Sequence, residues 1–389
     1  MMSRYLKELF IGVVLSVTQG LQAQQTLLSQ AESQSSRPNY VGDQACRECH
    51  PDQAGSYVQT AHHRTSQPPS KESILGSFAE GRNILNTANA GLYFRMGSKA
   101  DGFYETAVSM VPARPARSER IDVVIGSGRV GQTYLYWNKD QLFQLPVSYW
   151  VELDAWVNSP GYRDGTANFE RPVVPRCLEC HLTYAEATEP SVATNRYKPE
   201  TVMLGISCER CHGPGREHVE RAQENKSSMG IINPGKLTRD RQIELCAQCH
   251  GGRRIPQTVP FSYLPGEPLD KYYQRDPKNT GTTADVHGNQ VALLETSRCY
   301  QASAHMTCST CHDVHKAQRD LVALSERCIA CHPRAEKSHK STDKKLGACL
   351  DCHMPVQSSN LIISNSNGKQ TRALVRSHWI KIYPDAGTL

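Results

Sequence analysis

The most regular alternation of apolar and polar positions in the chain lies between residues 71 and 175. GLYFRM (91–96) and GFYETAVSM (102–110) each alternate with a period of two, which predicts a pair of strands. A second pair is predicted at residues 132–137 (QTYLYW) and 141–150 (QLFQLPVSYW), joined by a polar turn at Asn138-Lys139-Asp140. The β-branched run at 121–125 adds a further strand. Residues 71–175 are therefore expected to form a β-rich insert. Elsewhere the pattern is short and irregular. An apolar run at 9–17 follows Arg4 and Lys7 and precedes Leu21-Gln22-Ala23, which has the form of an export signal over 1–23 cut after Ala23. A bilayer needs about 20 apolar residues, so this run is too short to span one, and the mature chain is expected to carry no membrane span. Residues 24–39 are rich in Gln and Ser and are expected to be a linker. At the other end, a polar stretch (SSNLIISNSNGKQ) precedes RALVRSHWIKIYP, so residues 356–389 are expected to be a tail whose last part returns to the core.

Composition sharpens the picture. Of 389 residues only 38% are hydrophobic and 7% aromatic, thin material for a conventional core of this size, so buried apolar surface must come from elsewhere. The fifteen cysteines indicate the source, because fourteen of them fall in one repeated pattern.

Cys-x-x-Cys-His occurs seven times: Cys46, Cys49 and His50; Cys177, Cys180 and His181; Cys208, Cys211 and His212; Cys246, Cys249 and His250; Cys308, Cys311 and His312; Cys328, Cys331 and His332; Cys349, Cys352 and His353. Two thiols three residues apart on a helical turn reach the two vinyl groups of one porphyrin, and the histidine next in line sits beneath its iron. Zinc sites and dithiol redox motifs also use Cys-x-x-Cys but have no need of the following histidine. Seven covalently attached haem c groups are expected. Residues 40–70 then form a first haem-binding segment and residues 176–355 a six-haem core. Intervals between neighbouring motifs there are too short for independent protein cores. The expected fold class is mainly α with a β-rich insert, haem-packed, with little conventional core. Cys299 is left over and is expected to act as a small apolar side chain.

An iron held by one histidine needs a sixth ligand for simple electron transfer, or an open position for substrate. Eight histidines lie outside the motifs: His62, His63, His218, His287, His305, His315, His339 and His378. His62 and His63 are adjacent and point apart, so only one of them is expected to ligate, leaving one candidate per iron. Bis-histidine ligation throughout follows, and with it electron transfer. The formal charge of +6 is roughly cancelled by about −1 from each ferric bis-histidine haem, so it indicates no partner and in particular no nucleic acid.

VGDQACRECHPDQAGSYVQTAHH, ISCERCHGPGREHV, SRCYQASAHMTCSTCHDVH and CLDCHMP with a late SHWI resemble the multihaem cytochrome superfamily that includes hydroxylamine oxidoreductase, pentahaem nitrite reductase and tetrahaem cytochrome c-554. The resemblance covers most of residues 40–383. It implies distal ligation by His62, His218, His315 and His378. All seven motifs end in His where the nitrite reductase carries Lys at its catalytic haem, which weighs toward an electron carrier. The expected partners are other redox proteins, a quinol-oxidising membrane complex or another cytochrome, met in the periplasm or otherwise outside the cytoplasm. The alternative is an oxidoreductase acting on a small nitrogen or sulfur species at one five-coordinate haem, with His287 or His305 failing to ligate.

Overall fold

The computed structural model describes residues 39–110, 113–224, 226, 230–277, 288–334 and 349–384. The expected export signal and nearly all of the expected linker lie outside this range.

The region of regular alternation folds as two packed antiparallel sheets. Its strands are β1 (Ser66–Gln67), β2 (Ile84–Asn86), β3 (Leu92–Lys99), β4 (Gly102–Met110), β5 (Ala113–Arg120), β6 (Val123–Ile125), β7 (Gly131–Asn138), β8 (Gln141–Trp150), β9 (Ala155–Asn158) and β10 (Arg171–Pro172). The smaller sheet runs β2-β3-β4-β5; the larger runs β1-β6-β7-β8-β10, with β9 also paired to β8. Both expected strand pairs form. Phe94 lies opposite Ala107 in β3–β4, and Asn138 opposite Gln141 across the turn of β7–β8.

Alternation along the strands decides what each face covers. Phe94 and Met96 of β3, Ala107 of β4, Val124 of β6, Tyr134 and Tyr136 of β7, and Leu145 and Val147 of β8 close one core between the sheets. Full burial of side chains such as Phe94 and Met96 contributes about 1.5–3 kcal/mol each. The intervening residues Val123, Ile125, Leu135 and Leu142 face the other way. They pack with Leu178 and Leu182, which flank His181 and the second motif, and with Tyr197 and Phe261. The larger sheet is thus buried on both faces, and one of them carries the haem-motif segments.

The expectation of a mainly α fold with little conventional core is wrong. Helix accounts for 27% and strand for 28%, so neither dominates. One reason is chemical: a Cys-x-x-Cys-His unit needs a single turn, and helices such as Cys208–His212 and Cys349–His353 are no longer than their motifs. The second is the C-terminal tail. Its polar stretch forms a hairpin of Val356–Ser366 with Lys369–Arg376, turning at Asn367-Gly368, where both residues take positive φ (50° and 72°). Two serines, Ser359 and Ser364, are buried in the hairpin beside Ala373, which packs with Trp150 and Val157. Ser364 Oγ donates to the Asn158 carbonyl at 2.8 Å, and Asn158 N–H donates to Ser366 Oγ at 2.7 Å, so the hairpin is bonded to β9.

Candidate functional site

Each motif closes on its own turn. His50 N–H donates to the Cys46 carbonyl at 2.9 Å, His312 N–H to Cys308 at 2.9 Å and His332 N–H to Cys328 at 2.8 Å. The turn holds the two thiols and the imidazole on one side, as thioether attachment over an axial ligand requires.

The folding of distant segments then brings a second imidazole opposite four of the seven motif histidines. Ring centres are 6.4 Å apart for His50 and His218, 6.1 Å for His212 and His315, 6.0 Å for His250 and His62, and 6.2 Å for His312 and His378. The rings are near parallel in three pairs (12°, 26° and 30°) and steeply inclined in His62–His250 (73°). Two metal–imidazole bonds of about 2 Å, with about 1.1 Å from each nitrogen to its ring centre, give a spacing of about 6 Å across a shared metal. The observed spacings match that value. Burial, helped by neighbouring histidines, pushes His250 down to about 4; burial first and then His312 does the same for His378. Both are therefore held neutral, the form that binds metal.

Some outer nitrogens are fixed as well. His212 Nδ1 donates to the Ile232 carbonyl at 2.8 Å and His353 Nδ1 to the Lys381 carbonyl at 3.0 Å, which leaves Nε2 of each as the ligating atom. His181 Nδ1 bonds Thr65 Oγ1 at 2.9 Å, next to β1.

Thiol proximity reveals which motifs are neighbours. Cys46 lies beside Cys208, Cys180 beside Cys249, Cys246 beside Cys308, and Cys328 beside Cys349. Cys211 lies within electrostatic reach of Cys246 and Cys249, and Cys311 of Cys331. The motifs therefore follow the order first, third, fourth, fifth, sixth, seventh, with the second attached to the fourth as a side branch.

Residues inside and beside the motifs lock this order, and the sequence reasoning missed them. Glu209, in the third motif and 1% exposed, accepts the N–H groups of Val41, Gly42 and Gly215, each at 2.8 Å, and so holds the start of the helix Asp43–Cys49 that carries the first motif. Asp43 answers by accepting Cys208 N–H at 3.0 Å. Glu179, in the second motif, accepts Phe261 N–H at 2.8 Å and lies 3.5 Å from the Arg176 guanidinium. Arg210 donates to the Glu179 carbonyl at 2.8 Å. For Glu179, Glu209 and Arg210 the signal was that charged residues occupy the x positions of Cys-x-x-Cys; Asp43 and Arg176, outside the motifs, gave none.

The residues fit haem in a further respect. The Nε–H groups of Arg176 and Arg210 are buried with no acceptor among the described residues, which costs about 1–3 kcal/mol each unless met. Haem propionates are the anions that such guanidinium groups would receive.

Not every candidate is brought to a motif. His63 Nε2 bonds Asp43 Oδ2 at 3.1 Å, while its neighbour His62 faces His250. His305 is exposed and faces no other imidazole among the described residues. His287 and His339 lie outside the described residues. The position of His62 depends on Gly205, whose φ of 71° and whose α-carbon sit so close that an added Cβ would lie 2.2 Å from the His63 carbonyl oxygen. Ile206 N–H donates to the His62 carbonyl at 3.0 Å beside it. Gly205→Ala is expected to cost at least about 2 kcal/mol and to change the electron paramagnetic resonance (EPR) signal of the His62–His250 haem before any other.

Comparison with known proteins agrees with this geometry. The family model described as cytochrome c554 and c-prime matches residues 161–213, which hold the second and third motifs. The multiheme cytochrome MtrA of Shewanella baltica is 24% identical over 198 residues, covering 48% of this chain and 47% of that one. The dissimilatory sulfite reductase MccA of Wolinella succinogenes is 21% identical over 83% of this chain and 51% of its own length. The chain thus spans about half the length of these relatives. Among solved structures, the outer cell wall cytochrome OcwA superposes with a TM-score of 0.57 at 20% identity, over 90% of this chain and 81% of that one, which shows a shared fold. With its repeated Cys-x-x-Cys-His turns, its facing imidazoles and these relatives, the chain is a multihaem c-type cytochrome.

Proposed function

We propose that the chain is an exported heptahaem electron-transfer protein whose haems form one connected array. The observation that carries this reading is the set of four facing imidazole pairs at 6.0–6.4 Å. When bound, each haem would supply one-electron chemistry. The chain does the rest. His50, His212, His250 and His312, faced by His218, His315, His62 and His378, would hold four of the irons and close them to substrate. The closeness of the motif cysteines keeps neighbouring groups close enough for transfer, along a trunk from the first motif to the seventh with the second as a side branch. Partner proteins exchange electrons with this trunk, another cytochrome or a quinol-oxidising complex. Export is supported by the c-type motifs and by the relatives. The intact mass of the purified holoprotein is expected to exceed that of its polypeptide by seven haems; a smaller increment would overturn the count.

One observation favours a second reading. His305, a candidate sixth ligand, is exposed and faces no imidazole among the described residues. An iron left open there would suit reduction of a small sulfur or nitrogen species, and a relative named as a sulfite reductase aligns over most of the chain.

A further inference from the structure

The β sandwich does more than cover the array. Its β6–β7 loop reaches a cavity of about 150 Å³ whose walls include His62 and His312, axial candidates for the fourth and fifth motifs. Three separate segments supply cations to that cavity: Arg64 follows His62, Arg129 comes from the β6–β7 loop, and Lys316 and Arg319 follow the fifth motif. The single carboxylate in the lining, Asp313, is already engaged, accepting His315 N–H at 3.0 Å and lying 3.7 Å from Lys316. Arg129 and Arg319 make no ion pair among the described residues.

The loop that presents Arg129 is built, not slack. Gly126 N–H donates to the Thr65 carbonyl at 2.7 Å, and Gly126 takes a φ of 110°. A Cβ there would lie 2.5 Å from the Gly131 carbonyl oxygen, so only glycine permits the base of the loop to close. Arg129 is delivered close enough to His312 for its charge to oppose protonation of that ring, adding to the larger effect of burial.

We propose that Arg129, together with Arg64, Lys316 and Arg319, is a clamp for the propionates of the haems at the fourth and fifth motifs, and that through it the β sandwich sets their reduction potential. This rests on the reading that those motifs hold haem. Planar guanidinium groups match carboxylates in geometry and charge, and the cavity has room for carboxylates but is too cationic for an apolar ligand. A fixed positive charge beside a haem disfavours the ferric state, which carries one more positive charge than the ferrous, so the clamp raises the potential.

The test is a redox titration of the full holoprotein followed by EPR, comparing wild type with Arg129→Gln, Arg129→Lys and Arg319→Gln. At a fixed solution potential, Arg129→Gln is expected to lower the reduced-to-oxidised ratio of one or two haems by about three- to tenfold, with the others unmoved and Arg129→Lys close to wild type. Arg319→Gln should affect the same haems. The shift should persist in about 1 M salt, where the Debye length is about 3 Å. Unchanged potentials in both glutamine variants, or a shift abolished by salt, would overturn the clamp. A wild-type protein lacking haem at the fourth or fifth motif would instead refute the reading beneath it, and the haem content of the same sample separates the two cases.

Discussion

Removing the haem of the fourth motif with Cys246→Ala and Cys249→Ala is expected to divide the array into three isolated groups. The reason is local. Cys249 lies beside Cys180 of the second motif, Cys246 beside Cys308 of the fifth, and both lie near Cys211 of the third. The first and third haems would be left as one group, the second alone, and the fifth, sixth and seventh as another. Wild-type protein given fewer electrons than haems should redistribute them in one fast phase. In the variant, electrons introduced into one group should stay there until molecules collide, a phase whose rate depends on protein concentration. Removing the second haem with Cys177→Ala and Cys180→Ala should leave the fast phase intact, because that motif is a branch. The host structure has means to survive the change: Ile243 and Ala247, on the helix Arg239–His250, pack with Tyr263, Leu269, Tyr273 and Val291 in an ordinary apolar cluster. If the fourth-motif variant redistributed electrons as fast as wild type, the deduced order would be wrong.

Glu209→Ala should be the most destabilising change outside the ligands. Its carboxylate accepts three backbone N–H groups at 2.8 Å from a site that is 1% exposed. Bonds to a charged acceptor are worth more than neutral ones, and stranding buried donors adds a desolvation cost, so roughly 3–5 kcal/mol is expected. Two of the donors, Val41 and Gly42, immediately precede the helix that carries the first motif. The His50–His218 signal should therefore broaden while the other haems keep theirs. Glu209→Gln retains one acceptor oxygen and should lose less. Denaturant midpoints measure the first effect and EPR the second. A loss below roughly 0.5 kcal/mol, the usual range for surface changes, would contradict the structural role assigned to Glu209.

The Cys-x-x-Cys-His turns were legible in the sequence, because covalent haem attachment imposes a rigid local pattern. Of the candidate distal histidines, His62, His218, His315 and His378 each face a motif imidazole, while His63 is bonded to Asp43 instead. The fold was less legible. Strands of the sandwich announced themselves by alternation, but Val356–Ser366 did not, since it buries Ser359 and Ser364 where a strand ordinarily buries Val or Ile. A hairpin held by hydrogen bonds to Asn158 and by little apolar packing beyond Ala373 and Ile362 carries only a weak hydrophobic period to detect. Asn367-Gly368 was the available clue, a turn pair that takes positive φ readily. Nor could spacing within the chain have revealed that Glu209 binds residues 41 and 42, because that contact is created only when the first and third motifs come together.

The account turns on whether the irons are closed by histidine, and EPR of the oxidised holoprotein addresses that directly, with and without nitrite, hydroxylamine or nitric oxide. Low-spin signals indifferent to all three ligands are the predicted result. A high-spin signal that shifts when one of them is added would contradict the electron-transfer reading and establish an open iron.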